Sequence, residues 1–214
     1  MPPPSGRRAQ GSLIVALACV VAVAVLSLLV AVRWGPLIQL DVDLVRSAHD
    51  PTAAHGWLEE AAVQLTQLGD WLVLDLIGVA AMAALATRRQ WGLVWLILVV
   101  RAGEIGIVHL MKWAIHRPRP TFPDPLATAS YYSFPSGHAA GAAAMFGLLA
   151  VLVVRRANAP ARIAFWTLIA IVIAAVAATR VLLGVHYPSD VLGGILVGLG
   201  WLAACLYFVP ERGR

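Results

Sequence analysis

Apolar residues in this chain come in blocks of about twenty instead of alternating with polar ones, near 12–33, 71–87, 91–111, 137–154, 162–183 and 191–209. Arginine, proline or polar residues bound each block. A helix needs ~20 apolar residues at 1.5 Å rise to cross a ~30 Å hydrocarbon core. The pattern therefore predicts an all-α, polytopic membrane bundle of about six transmembrane helices in one unit, 1–214, with a small extracytoplasmic helical segment. Residues 1–11 read as a polar cytoplasmic tail. The first block exceeds the usual ~7–15-residue core of a secretory signal and lacks a clear cleavage pattern, so it is read as an uncleaved span. The longest connection, 35–70, contains HGWLEEAAVQLTQLGD, in which Trp57, Leu58, Ala61, Ala62, Leu65 and Leu68 recur at helical spacing. It fits a helix lying on the outer membrane surface or a packed helical hairpin cap.

Composition narrows the class. The chain is 60% hydrophobic and 13% charged, with a mean hydropathy of +0.81; soluble domains run roughly 45–50% apolar and about 25% charged. That excludes an ordinary soluble enzyme, a disordered chain and a collagen-like repeat. A formal charge of +5 would fit nucleic acid if it were gathered on one soluble face. Here the basic residues sit between apolar runs, so a bilayer and no nucleic acid is the expected partner. Short cytoplasmic loops retain Lys and Arg, and an inside N-terminus puts nine arginines on that face: Arg7, Arg8, Arg88, Arg89, Arg155, Arg156, Arg162, Arg212 and Arg214. The outer face then holds six basic residues, Arg33, Arg46, Lys112, Arg117, Arg119 and Arg180. This gives a multi-pass cell-membrane protein with both termini cytoplasmic and its polar clusters extracytoplasmic. The skew to arginine fits a GC-rich bacterial source. Cys19 and Cys205 lie inside apolar runs without metal-ligand spacing, so neither a disulfide nor a zinc site is expected.

Chemically capable groups gather in two stretches at span boundaries on the expected outer side. The first runs from Lys112 through His116, Arg117 and Arg119-Pro120 to Pro135-Ser136-Gly137-His138. Ser136 reads as an N-cap, and free amides at a helix start, with glycine permitting close approach, make an anion site. The second runs from Thr179-Arg180 to His186-Tyr-Pro-Ser-Asp190. Pro188 suits a first helical turn, which places Asp190 just inside the last span and His186 just outside. A carboxylate bonded to one imidazole nitrogen leaves the other free as a nucleophile.

The order Lys112-x6-Arg119-Pro120, Pro135-Ser136-Gly137-His138 and Thr179-Arg180-x5-His186-x3-Asp190 resembles the type-2 phosphatidic acid phosphatase superfamily, which also contains the vanadium haloperoxidases. Thr179 replaces the usual serine but keeps a hydroxyl, and the extra Arg117-Pro118 pair stands off the family distance from Lys112. The motifs cover about a third of the chain, and the first 70 residues carry none. The resemblance implies an integral membrane phosphatase acting without metal or cofactor on a lipid phosphate or diphosphate. The undecaprenyl diphosphate, phosphatidylglycerophosphate and phosphatidate types stay open. It implies His186 as the attacking group, Asp190 as its activator and His138 as the acid for the leaving oxygen. Lys112, Arg119, Arg180, Ser136 and the Gly137 amide would hold the phosphate.

Taken singly, these residues also have ordinary readings: His138 as a helix-start histidine, His186 with Asp190 as an interfacial polar pair, and Lys112, Arg119 and Arg180 as snorkelling residues that anchor spans. A phosphotransferase using the same histidine, and a small transporter lined by Arg101 and Glu104, are the competing functions. Arg101 and Glu104 are expected to form a structural pair, with structural roles for Asp75 and His109. His116 and Arg117 are read as guides for an anionic headgroup or as exposed loop charges. The eight tryptophans are expected mostly at span ends as anchors. Oligomeric state has no signature in the sequence.

Overall fold

A computed structural model describes residues 6–154 and 157–209. Its helices are α1 (Arg7–Ala31), α2 (Gly35–Ala54), α3 (Gly56–Thr66), α4 (Trp71–Thr87), α5 (Trp91–Ile115), α6 (Gly137–Val153), α7 (Ala159–Leu182) and α8 (Pro188–Tyr207). A 3-10 turn, Gln67–Gly69, joins α3 to α4, and there is no strand among the described residues. Each apolar block is a helix, with shifted ends. α1 takes in Arg7 to Gly11, so the polar tail is shorter than expected, and α5 runs four residues past Met111. Of the arginines assigned to the inner face, Arg155, Arg156, Arg212 and Arg214 lie outside the described residues.

Four helices, α1, α5, α7 and α8, are long and apolar enough to cross a bilayer. The 3-10 turn and α3 pass the same test jointly with α4, across a 43° bend. α4 and α6 have 17 residues each, and at 1.5 Å per residue such a helix is about 25 Å long. α6 is the central helix: Ala139 to Leu148 are all buried. Its small side chains let other backbones come close on every side. α8 exploits this, because a Cβ at Gly194 or Gly198 would overlap the carbonyl oxygen of Ser136 or Ala140. The main apolar core, with Leu74, Ile97, Val100, Met145, Leu148 and Val176, joins α4, α5, α6 and α7. α1 lies against α8 at Cys19 and Gly200, while Ile14, Leu17, Val20, Val21 and Leu28 remain exposed.

The connection 35–70 is a packed helical hairpin. Ala62 packs on Leu183 and Val185, and Thr66 is buried, so α3 covers the end of α7. The same helix leaves Trp57 and Leu65 exposed, and the 3-10 turn after it leaves Leu68 exposed. Trp201 departs from the anchoring role: it packs against Gly103, and its indole N–H donates to the carbonyls of Val99 and Val100.

Candidate active site

Four chain segments meet at one end of the bundle: the loop after α5, the first turn of α6, the link between α7 and α8, and the first turn of α8. α5 stops where His116 takes a left-handed conformation (φ 52°) two residues before Pro118, where proline disfavours helix. The loop then closes on itself, with the Ser133 amide donating to the Arg117 carbonyl (2.9 Å) and its hydroxyl to Pro118 (3.1 Å). Gly184 turns the link between α7 and α8 at φ +67°, and a side chain there would collide with His49 and Phe122. Finally, the Ser136 amide donates to the Asp190 carbonyl at 2.9 Å, tying the start of α6 to the start of α8.

His186 is 2% exposed. Its Nδ1 lies 3.4 Å from Asp190 Oδ2, and its Nε2 lies 3.1 Å from Arg119 Nη1. Arginine can only donate, and the carboxylate can only accept, so this network places the proton on Nδ1 and leaves the Nε2 lone pair toward the cations. Burial, reinforced by the charges of Arg119 and Lys112, outweighs the pull of Asp190 and lowers the His186 pKa to about 3. The imidazole is therefore neutral at physiological pH. Asp190 is fully buried, and its Oδ2 also accepts from the Tyr187 amide at 2.9 Å.

The cations are aimed by backbone oxygens. Arg119 donates to the carbonyls of Val185 (2.7 Å), Ser130 (2.9 Å) and Tyr131 (2.9 Å). Burial lowers its pKa, with Asp190 opposing. Lys112, in the last turn of α5, donates to Tyr132 (2.5 Å) and Ser133 (3.3 Å). Arg180, in the last turn of α7, donates to Thr66 Oγ1 at 2.7 Å, and its buried Nε has no partner. Ser136 occupies the N-cap position of α6 without capping it; its hydroxyl is buried and unpartnered. Gly137 and His138 line a cavity of about 400 Å³ that runs down between α4 and α5 past Asp75, Arg101 and Glu104. Thr179 bonds only inward, to the Val176 carbonyl at 2.6 Å. All eight residues picked from the motifs thus stand at this end of the bundle, around two unpartnered buried polar atoms.

One expectation is overturned. Arg117 is neither an exposed loop charge nor a headgroup guide: it is 7% exposed and bonded to Asp190 Oδ1 (2.6 Å), Ser189 Oγ (2.7 Å) and Asp41 Oδ2 (2.7 Å). Asp190 and Asp41 outweigh the burial that opposes its charge and hold its pKa above the ordinary value. Asp41, Ser189 and Thr66 carry no motif. Asp41 belongs to a helical stripe with Val45, His49 and Thr52 that is buried in α2 despite its polarity; Thr66 and Ser189 leave no such stripe. Arg101 does pair with Glu104 (2.7 Å), and also with Asp75 (2.6 Å), closing an ion triad between α4 and α5. His109 bonds within its own helix, to Ile105. No group of three or more His, Cys, Asp or Glu side chains among the described residues is placed to hold a metal ion.

A neutral, carboxylate-oriented imidazole beside Arg119 and Lys112, with a free helix start at the same end of a membrane bundle, suits one class, membrane enzymes that act on phosphate groups. The chain belongs to the PAP2 superfamily, whose family model matches residues 92–214. It is 32% identical over 146 residues to phosphatidylglycerophosphatase B of Bacillus subtilis, covering 67% of this chain and 71% of that protein. It is 37% identical over 134 residues to decaprenylphosphoryl-5-phosphoribose phosphatase of Mycobacterium tuberculosis, covering 60% of this chain and 65% of that one. The crystal structure of a transmembrane PAP2-type phosphatidylglycerolphosphate phosphatase from Bacillus subtilis superposes with a TM-score of 0.81 at 26% identity, over 90% of this chain and 94% of the other. Fold, family and relatives together make this a multi-pass membrane phosphatase.

Proposed function

We propose that the protein hydrolyses the terminal phosphate of a membrane lipid through a phosphohistidine, at the extracytoplasmic face. The observation that carries this reading is the arrangement of His186, with Nδ1 toward Asp190 and Nε2 toward Arg119. In the first step the Nε2 lone pair forms a bond to phosphorus while the bond from phosphorus to the leaving oxygen breaks. His138, once protonated, gives its proton to that oxygen. Lys112, Arg119, Arg180, the Ser136 hydroxyl and the Gly137 amide hold the other phosphate oxygens as charge develops on them. In the second step His138 takes a proton from water, the water attacks phosphorus, and the bond from nitrogen to phosphorus breaks to release phosphate. The cavity that His138 shares with α4 and α5 is the space this reading gives to the leaving group.

Phosphate release from phosphatidylglycerophosphate, phosphatidate, a prenyl diphosphate and a soluble sugar phosphate, each with EDTA present, tests the reading. Turnover of at least one lipid with EDTA, together with an acid-labile, alkali-stable phosphoenzyme absent from His186→Ala, is the expected result. Activity lost on chelation, or normal rates in His186→Ala, would overturn it. Retention of the phosphoryl group on an added acceptor lipid or sugar would mark a phosphotransferase instead.

A further inference from the structure

We infer that Asp41, Arg117 and Ser189 form a positioning relay behind the nucleophile, which makes α2 part of the catalytic apparatus; this rests on His186 being the attacking group. The three residues come from α2, the loop after α5 and the first turn of α8, and all are buried. Arg117 Nη1 bonds both Asp190 Oδ1 and Ser189 Oγ, while Nη2 bonds Asp41 Oδ2. Asp41 in turn accepts from the Ser189 amide at 3.0 Å and from its hydroxyl. The guanidinium lies 4.3 Å over the Tyr187 ring. The first turn of α8, which carries Asp190, is therefore fastened to α2 by a side chain that reaches both.

Charge gives the relay its second effect. An isolated pair of Arg117 and Asp190 would be neutral and would do little for His186 when the ring gains positive charge on attacking phosphorus. Asp41 offsets the guanidinium, so the trio carries a net charge of −1 beside the imidazole. Buried charges act on one another far more strongly than exposed ones. The charged groups acting on His186 are Asp190 from α8, Arg119 from the loop and Lys112 from α5; Arg117 and Asp41 act through Asp190. The two variants Arg117→Gln and Asp41→Asn should therefore move the imidazole in opposite directions. Losing the cation leaves Asp190 more negative and favours imidazolium, whereas losing the Asp41 charge disfavours it.

The test uses the purified full-length protein in detergent, with dioleoylphosphatidate or, if that is not turned over, phosphatidylglycerophosphate in mixed micelles, phosphate release read against pH, and melting curves to establish folding. Arg117→Gln and Asp41→Asn should each lower kcat about tenfold or more with KM within about threefold, since neither side chain touches substrate. The acid limb of kcat/KM should move to higher pH in Arg117→Gln and to lower pH in Asp41→Asn. Arg117→Lys keeps the charge but cannot bridge three partners, so it should lose kcat while its acid limb stays in place. If Arg117→Gln does not fold, Arg117→Lys and the isosteric Asp41→Asn still decide the matter. Folded variants with wild-type kcat, or acid limbs that move the same way, would overturn the relay and leave the proposed function standing. A wild-type protein inactive on every lipid phosphate would overturn the proposed function and the relay with it.

Discussion

Ser136 carries a hydroxyl that is fully buried and has no partner, and leaving such a group unpaired costs about 1–3 kcal/mol. Ser136→Ala should therefore hold or raise the melting temperature while raising KM for the lipid several-fold, checked by melting curves and steady-state kinetics on the same sample. His186 behaves differently. Its pKa is about 3 in the folded protein against an ordinary 6.5, so unfolded chains bind the proton more readily. Its contribution to stability is complete above about pH 6.5 and is lost as pH falls toward 3. The melting temperature of the wild type should fall more steeply between pH 6.5 and 4 than that of His186→Asn; parallel slopes would contradict this. At this scale the motif residues were legible because local spacing carries them: Arg119, not Arg117, meets His186. Arg117 was misread because its partners Asp41 and Asp190 lie 76 and 73 positions away in sequence. No local pattern distinguishes a buried, paired arginine from an exposed one.

Among the elements, α6 and α8 are held closest, and the glycines of α8 mark where. Gly194→Ala would press a methyl group on the Ser136 carbonyl oxygen, and Gly198→Ala on that of Ala140. Overpacking of this kind costs typically about 1–3 kcal/mol. Each variant should lower the melting temperature, and Gly194→Ala, one turn beyond Asp190, should also lower kcat. Gly106→Ala, which meets nothing within 4 Å, is the control that should leave both unchanged. The apolar helices were readable from block length alone, since bilayer thickness sets that length. The packing of α2 was not, because Asp41 and His49 are buried where hydropathy expects exposed residues. α3 shows the opposite case: its apolar Trp57 and Leu65 face outward while Ala62 and Thr66 turn in.

The molecule as a whole has an exposed apolar surface on α1, α4, α5 and α7 suited to a bilayer, with exposed tryptophans at Trp34, Trp71, Trp91 and Trp113 near helix ends. The proposed orientation, argued from the charge bias, puts the site end outside. A cysteine introduced at the exposed Thr128, in the loop beside the site, should react with an impermeant maleimide added from the outside of intact cells. Labelling only after the cells are opened would reverse the orientation. Cys19 and Cys205 are buried and give a low background.

The hydrogen bond from the Ser136 amide to the Asp190 carbonyl has a mechanical consequence. It joins the starts of two helices that are already in backbone contact, so His138 and Asp190 ride on one rigid jaw. Under the proposed mechanism, the separation of His138 from the His186–Asp190 pair is then set by helix packing and is indifferent to what the rest of the lipid looks like. The loop that carries Arg119 and the hairpin of α2 and α3 complete this end of the bundle, and Arg117 and Asp41 bond them to the first turn of α8. A chain built this way can alter the surfaces around the site while the spacing of these groups stays the same.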